Sequence, residues 1–209
     1  MMAQPLAYLK ESPSQTAGPY VHIGCTPNYS GIEGVYAEDL GARMVDAETQ
    51  GERIRIVGRV FDGVGTALKD ALVEIWQADA QGLYPGPSET RGTADPHFSG
   101  FGRSPGDMTT GEFVFETIKP GKVPFKDGRP QAPHVTVWIV ARGINLGLHT
   151  RMYFGDEEAA NAADPVLARI EHRARVQTLI APRTQEGDVP TYRFDIHLQG
   201  ENETIFFDI

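Results

Sequence analysis

Apolar and polar positions alternate through much of the chain with a period of two, the pattern of strands that bury one face. Arg53-Ile54-Arg55-Ile56-Val57-Gly58-Arg59-Val60-Phe61 opens the series. Ala71 to Gln77, Gly111 to Ile118, His134 to Ala141 and Leu148 to Phe154 continue it. Tyr192 to Leu198 alternates cleanly, and Thr204 to Phe207 reads as the last strand. Asp62-Gly63-Val64-Gly65 reads as a hairpin turn; a strand follows it where a nucleotide fingerprint would need a helix. Lys119-Pro120-Gly121 closes the strand before it. Residues 79–110, rich in Gly and Pro, read as one long loop, a length that usually builds a site or an interface. Asp156 to Ala163 and Pro165 to Glu171 suit one or two short helices, with Asp164 as N-cap and Pro165 at the first helical position.

Several short strands with turns between them predict a mainly β chain, an antiparallel β-sandwich with long loops and short helices. No repeat or linker divides the sequence, so residues 1–209 are expected to form one domain, with residues 1–50 as an N-terminal arm and turns and 51–209 as the core. Ser12 to Tyr20 holds two prolines and a glycine, which predicts an extended arm or turns rather than a helix.

Composition narrows the function classes. A net charge of -9 repels phosphate backbones and anionic membranes, so neither nucleic acid nor membrane is an expected partner. No apolar run reaches the ~20 residues that span a bilayer. Cys25 is the single cysteine, which excludes an intrachain disulfide, and the first ten residues lack a signal-peptide core. The expected location is the cytoplasm.

The chemistry centres on Pro133-His134-Val135-Thr136. On a strand, positions 134 and 136 share a face. A His-x-His pair there would offer two imidazoles to a metal; this chain offers one imidazole and a hydroxyl, a far weaker ligand. Ser99 and Ser104 have no triad context, Asp195 and His197 share a polar strand face, and His149-x-Arg151 is an interface candidate.

Three segments, in order and spacing, resemble the intradiol ring-cleaving dioxygenases: Val73-Glu74-Ile75-Trp76-Gln77-Ala78-Asp79-Ala80-x-Gly82-x-Tyr84, Phe113-x-Phe115-x-Thr117-Ile118-Lys119-Pro120-Gly121, and Pro133-His134-Val135-Thr136. Ser14 to Tyr20 and Phe194 to Asp208 extend the likeness to nearly the whole sequence and narrow it to the non-iron subunits of heteromeric members. The resemblance implies a transthyretin-like (prealbumin-like) sandwich and a ferric iron, Fe(3+), held by two tyrosinates and two histidines. It places Tyr84, Val123, His134 and Thr136 at the four ligand positions, so two donors are missing. Two remaining donors cannot hold Fe(III) as four do. An arginine expected shortly before the first histidine is also out of place, with Arg129 displaced and Gln131 nearer.

The implied arrangement is a degenerate alpha subunit with no catalytic residue of its own. It would pair with a beta chain that binds the iron, as an αβ pair within a higher oligomer of pairs. The complex would cleave 3,4-dihydroxybenzoate with O2 to 3-carboxy-cis,cis-muconate in aromatic catabolism. Thr16, Gly18, Pro19 and Tyr20 would line the partner's substrate pocket, and Arg142 would face it as a fixed cation suited to a small aromatic acid. Two other readings stay open: a self-sufficient dioxygenase using Tyr84 and His134, and a catechol-binding or scaffold β-sandwich without catalysis.

Overall fold

The computed structural model describes residues 15–145 and 147–208. Its strands are β1 (Arg53–Phe61), β2 (Leu72–Trp76), β3 (Phe101–Pro105), β4 (Glu112–Ile118), β5 (His134–Val140), β6 (Leu148–Phe154), β7 (Ile180–Ala181), β8 (Arg183–Glu186), β9 (Val189–Arg193) and β10 (Ile196–His197). They form two five-stranded sheets. In the first, β1 pairs antiparallel with β4 and parallel with β9 and β10, and β8 pairs with β9. The second has the order β3-β2-β5-β6-β7.

The expected antiparallel sheets are therefore mixed. The parallel pairs all involve segments that return to a sheet from a distance: β7 rejoins β6 after residues 155–179, and β9 and β10 rejoin β1 from the far end of the chain. Parallel pairing needs such crossovers, and alternation alone does not reveal strand direction.

Period two nevertheless sorts the core. Ile54, Ile56 and Val60 of β1, Phe113 and Phe115 of β4, Val73 and Ile75 of β2, and Val135, Val137 and Ile139 of β5 join one buried cluster. The opposite face of the second sheet carries Trp76, Thr136, Trp138, His149 and Arg151. Register aligns Trp76 with Thr136 and Thr136 with Arg151.

Four other expectations change. The Tyr192–Leu198 strand is split, because Asp195 turns its carboxylate into the ladder and accepts the Arg59 N–H at 3.0 Å. Thr204–Phe207 is not a strand; only Phe207 bridges to His149, and the Thr150 hydroxyl donates to the Ile205 carbonyl at 2.6 Å. The loop 79–110 contains β3, unseen because Phe-Gly-Arg-Ser-Pro has no alternation. Gly102 fits there because an added Cβ would meet Met44 Sδ at 2.5 Å. The turn at Asp62–Gly65 forms, with Gly65 at φ +83°, yet the chain leaves it for the other sheet and the hairpin shrinks to a Phe61–Ala67 bridge.

The arm also departs from expectation. Helix α1 spans Pro19–Cys25, so Pro19 and Tyr20 are helical. Proline suits the first helical position, where its missing N–H has no intrahelical partner to lose. Helix α2 (Glu158–Ala163) and two 3-10 turns, Leu167–Arg169 and Arg173–Leu179, fill the excursion between β6 and β7. Asp164 closes α2 instead of opening a helix at Pro165, and the next turn starts at Leu167, though its carboxylate still caps that turn. Fully buried, it accepts the N–H groups of Val166 and Leu167, both at 2.8 Å, as well as that of Ala132 at 2.8 Å.

Candidate functional site

The motif around Tyr84 is mainly a scaffold. Gln77 is buried, donating to the Ile118 carbonyl at 2.9 Å and accepting from the Thr117 hydroxyl at 3.0 Å. Asp79 is buried too. It gathers the N–H groups of Gln81 and Leu83 on one oxygen and that of Asp95 on the other. Gly82 has φ +80°, and a Cβ on it would lie 2.1 Å from the Lys122 carbonyl. A Cβ on Gly121 would lie 2.5 Å from the Gly82 nitrogen. The glycines of two motifs distant in sequence thus interlock, and that contact sets Tyr84 beside Val123.

Tyr84, Val123, Gln131, His134 and Arg151 line one cavity of about 380 Å³. The structure so brings three of the four expected ligand positions together. Thr136 lines the adjoining cavity, which it shares with Arg151. Trp76 stacks on Tyr84 at 5.9 Å. Burial raises the Tyr84 phenol above its ordinary value, opposed by the charges of Arg151 and Arg91, so it remains a neutral phenol near pH 7. His134 is buried, with Nδ1 2.8 Å from the Ala132 carbonyl. A carbonyl only accepts, so Nδ1 carries the proton and Nε2 keeps the lone pair. Desolvation first, then the Arg151 charge, lowers the His134 pKa to about 4.

These residues do not fit a ferric ion. Val123 has no donor atom, and Thr136 offers only a hydroxyl. Among the described residues, no group of three or more His, Cys, Asp or Glu side chains is placed to hold a metal. Arg151, read in sequence only as part of an interface candidate with His149, joins this site. It sits opposite Thr136 on β6 and donates to Gln131 Oε1 at 2.8 Å. A cation thus stands beside Gln131 from the neighbouring strand. Arg129 is turned to Asp127 at 2.8 Å, in an exposed pair. The only signal in sequence was the period-two offset that puts 149 and 151 on one face.

A second cavity, of about 450 Å³, lies under the arm. Gly18, Pro19, His22, Asp70 and Arg142 line it, so three of the arm-site candidates meet there. Thr16 lies close by, its hydroxyl accepting the Gly143 N–H at 2.9 Å. Tyr20 does not join them; it stands 85% exposed on α1. Arg142 is mostly exposed and held by Asp70, Nε to Oδ2, at 3.3 Å. Among the described residues, His22 Nε2 and Asp70 Oδ1 are buried without a hydrogen-bond partner. Of the remaining candidates, His197 stacks on Phe61 at 5.0 Å and Asp195 serves the ladder, both structural.

Known proteins are similar to this chain in sequence and fold. Residues 25–200 match the family described as Dioxygenase. The protocatechuate 3,4-dioxygenase alpha chain of Pseudomonas putida is 44% identical over 204 residues, covering 98% of this chain and 99% of that one. The protocatechuate 3,4-dioxygenase beta chain of Burkholderia cepacia is 34% identical over 183 residues, covering 80% and 77%. Among solved structures, the dioxygenase domain of a carbohydrate-binding fusion protein from Streptomyces sp. SirexAA-E superposes with a TM-score of 0.54 at 25% identity, over 83% of this chain and 96% of that one. Scaffold, motif order and full-length likeness agree: the chain belongs to the dioxygenase family, alongside the protocatechuate 3,4-dioxygenase alpha chains.

Proposed function

We propose that the chain is the non-iron alpha subunit of a protocatechuate 3,4-dioxygenase. The complex opens the ring of 3,4-dihydroxybenzoate with O2, giving 3-carboxy-cis,cis-muconate. One observation supports this reading: three of the four expected ligand positions line one cavity and Thr136 the adjoining one, yet Val123 has no donor atom and Thr136 offers only a hydroxyl. A scaffold kept intact around a disabled centre suits a subunit whose partner performs the chemistry. The likeness to both alpha and beta chains supports a partner of the same fold. In this reading the fold is one transthyretin-like sandwich domain over residues 51–209 with residues 1–50 as its arm, the iron belongs to the beta chain, and αβ pairs assemble further in the cytoplasm.

This chain's own part is to shape and charge the shared pocket. Gly18 and Pro19 give a small, rigid wall to a flat ring. Arg142, steadied by Asp70, offers its guanidinium to the carboxylate of the substrate. Thr16 fixes the arm to the turn after β5 by its bond to Gly143. Tyr20 stands exposed for contact with the partner chain.

The test is coexpression with an iron-bearing beta chain, followed by turnover assays. The pair should copurify and cleave 3,4-dihydroxybenzoate. Arg142→Ala should raise KM for that acid about tenfold or more, as loss of a charge-assisted contact would, while changing KM for catechol little. Equal effects on both substrates would show that Arg142 does not read the carboxylate, and full activity of this chain alone would overturn the subunit assignment.

A further inference from the structure

Arg151 borders a second hollow, of about 460 Å³, on the other side of the degenerate centre. Its floor is Thr136 and Arg151, and its walls include Phe125, Arg169, Ile205 and Phe207. Two arginines, Arg151 and Arg169, line this hollow. Arg151 is half-buried, and its hydrogen-bond partners are neutral: Gln131 Oε1 at 2.8 Å and the Tyr153 hydroxyl at 3.5 Å. Arg169 lies over the Phe125 ring at 4.9 Å. Neither forms an ion pair among the described residues, whereas Arg55, Arg91, Arg103, Arg142, Arg183 and Arg193 all do. Asp208 also borders the hollow, but it is exposed and pairs with neither arginine. In a chain of net charge -9, a concave site with two unpaired cations against aromatic walls is a local reversal of sign.

We propose that this hollow binds a small aromatic carboxylate. Arg151 and Arg169 take the carboxylate, a geometry the planar guanidinium fork favours. Phe125, Phe207 and Ile205 enclose the ring. The binding mode reverses the one a metal imposes: the ligand is held by its acid group rather than by ring hydroxyls, so it is bound without being activated. The site is distinct from the arm cavity and does not depend on the role of Arg142. It makes this chain a second, non-catalytic receptor for aromatic acids.

The probe is 4-hydroxybenzoate, which has a single ring hydroxyl and is not a diol to be cleaved. Isothermal titration of the copurified complex should give two equivalents per pair. One perturbs the visible tyrosinate-to-iron absorption and the other leaves it unchanged. Arg169→Gln, an exposed change that spares the fold, and Arg151→Gln should each weaken the silent equivalent about tenfold or more, with the absorption titration unmoved. Benzamide, with the same ring and no charge, should bind the silent site about tenfold more weakly or worse. A single equivalent that tracks the absorption would overturn the proposal, because a partner segment then fills the hollow. A silent equivalent untouched by both substitutions would overturn it as well. If no complex forms, the subunit assignment fails, and titration of the chain alone still decides the site: one equivalent sensitive to Arg169→Gln is expected, and none refutes it.

Discussion

At His134, an unfolded imidazole takes up a proton near pH 6.5, whereas the buried ring resists protonation until about pH 4. The unfolded chain therefore binds more protons between these values, and stability falls as pH drops through that window. The contribution is complete above about pH 6.5 and approaches a loss of about 3 kcal/mol near pH 4. Urea denaturation of the chain and of His134→Leu at pH 7.5 and pH 4.5 isolates it: the difference between the two proteins should shrink or invert at the lower pH. A difference independent of pH would mean that the ring is charged or solvated in the fold. Gly58 makes an equally local prediction. A Cβ there would lie 1.9 Å from the Phe194 carbonyl oxygen, so Gly58→Ala must push β1 away from the segment joining β9 and β10. Overpacking of this kind costs about 1–3 kcal/mol, read as a lower denaturation midpoint. An unchanged midpoint would show that the first sheet yields freely there.

Among the elements, the excursion between β6 and β7 hangs on Asp164. Its carboxylate ties the turn at Leu167–Arg169 to the Ala132 N–H that precedes β5, and so holds the helical segment to the strand that carries His134. Asp164→Ala strands three N–H groups and should cost about 3 kcal/mol or more in chemical denaturation, with Asp164→Asn milder. Equal midpoints for Asp164→Ala and the unchanged chain would remove this role. The sequence made the long strands legible because β1, β4, β5 and β6 alternate over enough residues for burial to show. It hid β3 because Gly102 and Pro105 erase the alternation, and it hid strand direction because parallel and antiparallel partners share one period. Helix α1 was obscured by a proline that, at the first helical position, costs nothing. At the site, His134 and Thr136 could be placed on one face from spacing alone, while Arg151 could not be assigned to them without the β5–β6 register.

For the whole molecule, the two sheets hold Tyr84 and His134 at two of the four expected ligand positions, while Val123 and Thr136 leave the other two without a phenolate or an imidazole. The most direct measurement is ferric ion binding by the chain purified without any partner, by equilibrium dialysis against Fe(III) with metal analysis and visible spectroscopy. The account predicts a colourless protein with iron far below one equivalent, and an iron-loaded, coloured complex only when the beta chain is added. One equivalent of tightly held iron with a tyrosinate-to-iron band in the chain alone would contradict it.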